Sequence, residues 1–200
     1  NVGNFAMTMI GVAVAVVIAL VLTLVLGFPD AADEETAADP SNPALAAPVS
    51  APVDADGAPV PGKAVALADI NDKVFASGAM GAGMGIVPSS GELVAPISGE
   101  VRAAMPHAYG IKSDNGVEVL VHIGIDTVQL DGKGFTSHVT QGQRVHAGEK
   151  LATVDLAEIT ASGYDPTTIV IVTNSAQLSE VLPVTDGDLT TDTPALTIKL

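Results

Sequence analysis

The stretch Gly116-Val-Glu-Val-Leu-Val-His-Ile-Gly-Ile-Asp-Thr-Val128 constrains this chain more than any other. Its apolar residues recur at every second position, the period of a β-strand and not of a helix. Val117, Val119, Val121, Ile123 and Ile125 point one way, which predicts a strand with one buried face. Glu118, Leu120, His122, Gly124 and Asp126 point the other way. His122 therefore stands apart from the valine face, beside a glycine that leaves room for an approaching molecule. A strand holds an imidazole more firmly than a loop does. Taken alone, however, a histidine here also fits the solvent side of an ordinary strand.

The strand sits in an all-β setting. Pro88-Ser-Ser-Gly-Glu-Leu-Val-Ala95 is followed at once by Pro96-Ile-Ser-Gly-Glu-Val-Arg-Ala103, one eight-residue unit of turn and strand written twice. Further strands are expected at Ala108–Ser113, Val117–Ile125, Leu151–Val154 and Ile169–Thr173, separated by turn signals such as Asp114-Asn115-Gly116. Strand character returns at Leu196–Leu200. One short helix is expected at Leu156–Ser162, with Asp155 as its cap, Glu158 three residues on, and Gly163 closing it. The pattern predicts an antiparallel β-sandwich or barrel-like domain over residues 64–200.

Two different segments precede it. Phe5 to Phe28 is 24 residues without a charge, longer than the ~20 that span a bilayer core as a helix. A transmembrane helix is expected over 5–28. A signal peptide fits less well, for want of a basic leading segment and of a cleavage site close behind. Residues 29–63 read as a disordered acidic linker. From Pro29 to Gly62 there are seven Pro, ten Ala and seven acidic residues, with no aromatic and no basic side chain. The chain opens on Asn1, and we read it as part of something longer.

Composition removes several functions. The net charge of −15 argues against nucleic acid, whose binding rests on Lys and Arg. With no Cys there is no disulfide framework, thiolate metal site or thiol nucleophile. That leaves the four histidines, His107, His122, His138 and His146. The last two lie in polar, Gly-containing turn sequence and read as solvated surface. His107 precedes the strand that reaches His122 through the Asp114-Asn115-Gly116 turn. If the two strands pair as a hairpin, residues whose numbers sum to about 229 face each other, and His107 stands opposite His122.

Three chemistries use such a pair. A metal site needs further ligands, and Asp126 is the one candidate on the same face. The spacing His122-x-x-x-Asp126 is shared with zinc peptidases of β-rich fold, which also need a His-x-His element absent here. General acid–base catalysis needs a substrate pocket that the sequence does not reveal. In the third, a neutral imidazole attacks a phosphoryl group and holds it as a phosphoramidate while the second His donates to the phosphoryl oxygens.

The Gly116–Val128 stretch closely resembles the phosphorylation-site motif of glucose-type enzyme IIA domains of the bacterial phosphoenolpyruvate-dependent sugar phosphotransferase system. The resemblance takes in Ala76-Ser-Gly-Ala-Met-Gly81, Gly91–Glu100, Gly134-Phe135, Val139–Gly148 and Gly163-Tyr-Asp165, and so covers about residues 70–175. It implies an antiparallel β-sandwich in which His122 accepts phosphate from the phosphocarrier HPr, on Nε2, and passes it to a IIB domain. His107 matches the second histidine, which supports the phosphoryl group without carrying it. Gly124 and Asp126 match the residues flanking the acceptor, with Thr127 beside them. One departure stands out. The family usually has Thr two residues before the second histidine, where this chain has Met105, so that support is expected to be rearranged or weakened.

The N-terminal span resembles the last membrane helix of a glucoside- or sucrose-type enzyme IIC. This implies a fused permease in the bacterial inner membrane, with the IIA domain on the cytoplasmic side. No cofactor and no metal are expected. Two other functions fit the same domain: a non-catalytic regulatory or interaction module, and a zinc-binding β-rich hydrolase. A biotinyl or lipoyl carrier would share the Gly-x-x-Val-x-x-Gly-x-x-Leu rhythm of Val139–Leu151, but needs a Lys at an exposed turn, typically between two Met, and no such triplet occurs here.

Overall fold

The computed structural model describes residues 53–54 and 57–200. Its first half runs β1 (Val53–Asp54), β2 (Gly62–Ala66), α1 (Lys73–Ala76), β3 (Ala82–Pro88), β4 (Glu92–Val94), β5 (Gly99–Met105), β6 (Ala108–Lys112) and β7 (Glu118–Ile123). Its second half runs β8 (Phe135–Ser137), β9 (Arg144–Val145), β10 (Lys150–Val154), α2 (Leu156–Ala161), β11 (Thr168–Val172), β12 (Glu180–Pro183), β13 (Asp188–Leu189) and β14 (Leu196–Lys199).

Every strand pairing is antiparallel. One sheet has eight strands in the order β13-β2-β3-β11-β7-β6-β5-β9, and two smaller sheets have the orders β4-β10-β8 and β1-β14-β12. The two copies of the repeated turn-and-strand unit part company, since β4 joins a small sheet and β5 the large one. A core of Val119, Val121, Ile123, Val170 and Val172 from the large sheet, with Leu93, Leu151, Leu196 and Ile198 from the small ones, joins the layers. Full burial of each such side chain stabilises the fold by about 1.5–3 kcal/mol.

β7 lies near the middle of the large sheet, between β6 and β11. The alternation in its sequence does sort the side chains onto two faces, but both faces are covered. Leu120, with Ala108, Ile169 and Ile171, belongs to a second core on the far side, completed by Ile70, Phe75 and Met80. The expectation of a single buried face is thus corrected. Residues 67–80, which include a short 3₁₀ turn and α1, cover the side that carries His122.

The expected membrane helix over 5–28 lies outside the described residues, as does most of the expected linker. Among the described residues no helix is long and apolar enough to cross a membrane. The fold of the described residues is the antiparallel β part alone, and the expectation of a membrane helix within the fold is corrected to that. The packed domain also starts before residue 64. Ala58 and Val60 are buried in the main core, and β2 begins at Gly62.

Candidate phosphotransfer site

The sequence places His122 near the end of β7, where Ala108 of β6 and Ile169 of β11 stand opposite it in the ladder. The hairpin is closed by the Ser113 N–H donating to the Val117 carbonyl at 2.9 Å, with Gly116 at φ +84° in the turn. That closure makes facing residues sum to 230, one more than expected, so Ala108 rather than His107 faces His122. His107 instead follows Pro106 in the two-residue turn between β5 and β6, whose last pair is Met105 with Ala108. The two imidazoles still meet. Their ring centroids are 5.3 Å apart at an interplanar angle of 65°.

Both rings are buried, with 8% exposure for His122 and 6% for His107. The hydrogen bonds of His122 decide its reactive nitrogen. Nδ1 lies 2.9 Å from the Gly124 carbonyl oxygen. A carbonyl only accepts, so Nδ1 carries the proton and the neutral ring presents its lone pair at Nε2. His107 Nε2 is buried with no hydrogen-bond partner. Met105, half-buried, packs against the second core and brings no hydroxyl to this network.

A turn beyond the strand holds the Gly124 carbonyl in place. Gly124 has φ +75°, and Asp126 follows with φ 58°, both in the left-handed region. The Gly124 N–H donates to the Thr167 carbonyl and the Ile125 N–H to the Asp165 carbonyl, at 3.1 and 2.8 Å. Thr127, fully buried, donates its hydroxyl to the Ile123 carbonyl. Gly124, Asp126 and Thr127 thus lie together in the turn that follows the imidazole. The Asp126 side chain makes no capping hydrogen bond. His138 and His146 are exposed and lie outside the site, with His138 Nε2 2.8 Å from the Thr153 hydroxyl.

Sequence reasoning missed Phe75. Its ring centroid is 5.2 Å from that of His122, tilted by 59°. The only local signal is Asp72, whose carboxylate caps α1 by accepting from the Val74 and Phe75 N–H groups at 2.8 and 2.9 Å.

Burial holds the His122 pKa far below the usual 6.5, at about 3, helped by the neighbouring His107 and opposed by the Gly124 carbonyl. Burial also lowers the His107 pKa. Both rings are therefore neutral at pH 7, the form a nitrogen nucleophile needs. The folding consequence has a definite sign. The unfolded chain binds these protons near pH 6.5 and the folded chain does not, so the stabilisation is complete above pH 6.5. It is lost as the pH falls from there towards 3. For His122 alone the loss between pH 7 and pH 5 is about 2 kcal/mol. Urea unfolding at the two pH values checks this, with a shallower dependence expected for His122→Gln.

No group of three or more His, Asp or Glu capable of holding a metal occurs among the described residues. Among these residues nothing joins the two imidazoles as the third ligand of a zinc site.

An antiparallel β-domain presenting one buried imidazole, with Nδ1 on a carbonyl, beside another suits histidine phosphotransfer. The comparisons with known proteins agree. The family model for the phosphoenolpyruvate-dependent sugar phosphotransferase system, EIIA 1, matches residues 57–178. The "PTS system beta-glucoside-specific EIIBCA component" of Halalkalibacterium halodurans is 50% identical over 125 residues, 62% of this chain and 20% of that protein. The "PTS system glucose-specific EIIA component" of Staphylococcus aureus is 45% identical over 126 residues, 62% of this chain and 76% of that protein. The solved glucose permease IIA from Mycoplasma capricolum superposes with a TM-score of 0.59 at 40% identity, over 70% of this chain and 92% of that one. The chain belongs to the EIIA 1 family of the phosphoenolpyruvate-dependent sugar phosphotransferase system. Its β-domain is an enzyme IIA phosphotransfer domain.

The chain spans 20% and 28% of the lengths of two β-glucoside-specific relatives. The expectation of a fused IIC part is corrected, because the family match is to the IIA domain and no described helix can cross a membrane. Inner-membrane placement and membrane partnership through the 5–28 helix rested on that expectation and go with it.

Proposed function

We propose that His122 is the phosphoryl acceptor of this domain, that HPr is its donor, and that a IIB domain receives the phosphate. One observation carries the reading: the protonated Nδ1 donates to the Gly124 carbonyl, which leaves Nε2 unprotonated on a ring that neighbours His107. The Nε2 lone pair forms the N–P bond as the bond from phosphorus to the donor's imidazole breaks, and the donor ring keeps the electron pair. No proton has to leave His122, so no general base is needed. His107 acts as the supporting donor, through the Nε2 that has no protein partner. Gly124, Asp126 and Thr127 keep the acceptor ring oriented.

The test uses phosphoenolpyruvate, enzyme I and HPr with the 200-residue chain. The wild type gains an acid-labile, base-stable phosphate. His107→Gln gains it too but passes it to a IIB domain at least ~10-fold more slowly, because one charge-assisted hydrogen bond is worth about 1.5–3 kcal/mol. A folded wild type without phosphate contradicts the acceptor assignment. A His107→Gln chain that passes phosphate at the wild-type rate contradicts the role of His107.

A further inference from the structure

We propose that Phe75 is a positioning residue for phosphoryl transfer, whose ring closes one side of the His122 imidazole and keeps it dry and fixed. The inference rests on His122 being the acceptor. Phe75 is 3% exposed, and its ring lies 5.2 Å from that of His122 at a tilt of 59°. His107 meets the same imidazole at 5.3 Å and 65°. The acceptor ring thus has two ring neighbours, one able to hydrogen-bond and one not. The strand alone leaves the imidazole free to turn about χ2, which would take Nδ1 off the Gly124 carbonyl, put Cδ2 in its place and release the tautomer that this hydrogen bond fixes. A phenyl ring in contact blocks that rotation sterically.

The construction around Phe75 suits this task. α1 is a single turn, too short to persist on propensity alone. It is held by the Asp72 cap and by Phe75 itself, with Ile70 and Met80 in the same apolar cluster. The groups facing His122 from the packed elements are mostly uncharged. Phe75 comes from α1, Ala108 from β6 and Ile169 from β11, while His107 is the titratable neighbour. Asp72 and Lys73 lie at the start of α1, and Asp126 and Asp165 on the turns beyond the strand ends. Removing the phenyl ring admits water to the imidazole, and water stabilises its protonated form.

The experiment is an NMR titration of His122 in the unphosphorylated chain, for the wild type, Phe75→Leu and Phe75→Ala. It is paired with phosphate acceptance from HPr between pH 8 and pH 5.5. The wild-type ring stays neutral, in the Nδ1–H tautomer, throughout this range. In Phe75→Ala the titration midpoint rises to near the ~6.5 of a solvated imidazole, and the 15N shifts report a mixture of tautomers. Acceptance at pH 8 stays within a few-fold of wild type but falls about tenfold by pH 5.5. Phe75→Leu, which keeps most of the apolar volume, lies between. A merely structural role lowers acceptance equally at every pH and leaves the midpoint unmoved, and that result would overturn the proposal. The titration needs no phosphate donor, so an unlabelled wild type would count against the acceptor assignment while the midpoints still judged Phe75.

Discussion

His122→Ala takes up no phosphate from phosphorylated HPr at any pH at which the chain is folded. The reason is local. Of the four imidazoles, this one has Nδ1 on a backbone carbonyl, a second imidazole 5.3 Å away between ring centroids, and both within a water-poor setting. His107 sits in a hairpin turn without such a carbonyl, and His138 and His146 are exposed at other places on the domain. None can substitute by moving a side chain. Label is counted after gel separation at alkaline pH, where the phosphoramidate survives, and a thermal melt at pH 7 verifies folding. Label at the wild-type level on the variant would move the acceptor to another histidine. His122→Ala also loses the buried neutral imidazole, so its stability changes less between pH 7 and pH 5 than that of the wild type.

Gly124→Ala is expected to damage both stability and transfer. Gly124 adopts φ +75°, where a Cβ is disfavoured by about 1–2 kcal/mol. A methyl group there would lie 2.4 Å from Thr127 Cγ2 and 2.9 Å from the Asp165 carbonyl oxygen. Thr127 is fully buried and hydrogen-bonded to Ile123, and the Asp165 carbonyl is backbone, so neither neighbour can simply swing away. Strain and overpacking together destabilise the domain by about 2–4 kcal/mol, roughly 5–15 °C in Tm. The carbonyl that fixes Nδ1 shifts with the turn, and acceptance falls even in molecules that remain folded. Acceptance per folded molecule, measured well below the Tm, separates the two losses. Unchanged acceptance would show that the carbonyl does not set the tautomer.

The parts of this architecture that sequence made legible are those with a local signature. The alternation from Val117 to Ile123 marks β7, and Asp114-Asn115-Gly116 marks the turn that returns the chain along β6. Asp155 caps α2, its carboxylate accepting from the Glu158 N–H at 3.0 Å, and Gly163 ends the turn at φ +87°. β3 escaped because Ala82-Gly-Met-Gly-Ile-Val-Pro88 has glycine where a strand should show side chains. The reason is spatial: a Cβ on Gly85 would lie 2.4 Å from Ile70 Cδ1, under the segment that covers the sheet. That same cover buries the second face of β7, which no pattern within β7 announces. Phe75 was hidden for a related reason. Its helix is one turn long, and its contact with His122 bridges 47 positions of sequence. His122, His107 and the glycine between strand and turn were readable; the ring that completes their surroundings was not.

The most direct test of the account follows the nitrogen that carries the phosphate. The chain is labelled with 15N, phosphorylated through phosphoenolpyruvate, enzyme I and HPr, and its imidazoles are read by long-range 1H–15N correlation alongside 31P. The account predicts one phosphoramidate, on Nε2 of His122, with Nδ1 still protonated and hydrogen-bonded. Phosphate on Nδ1, phosphate on another histidine, or a folded chain that takes none would contradict it.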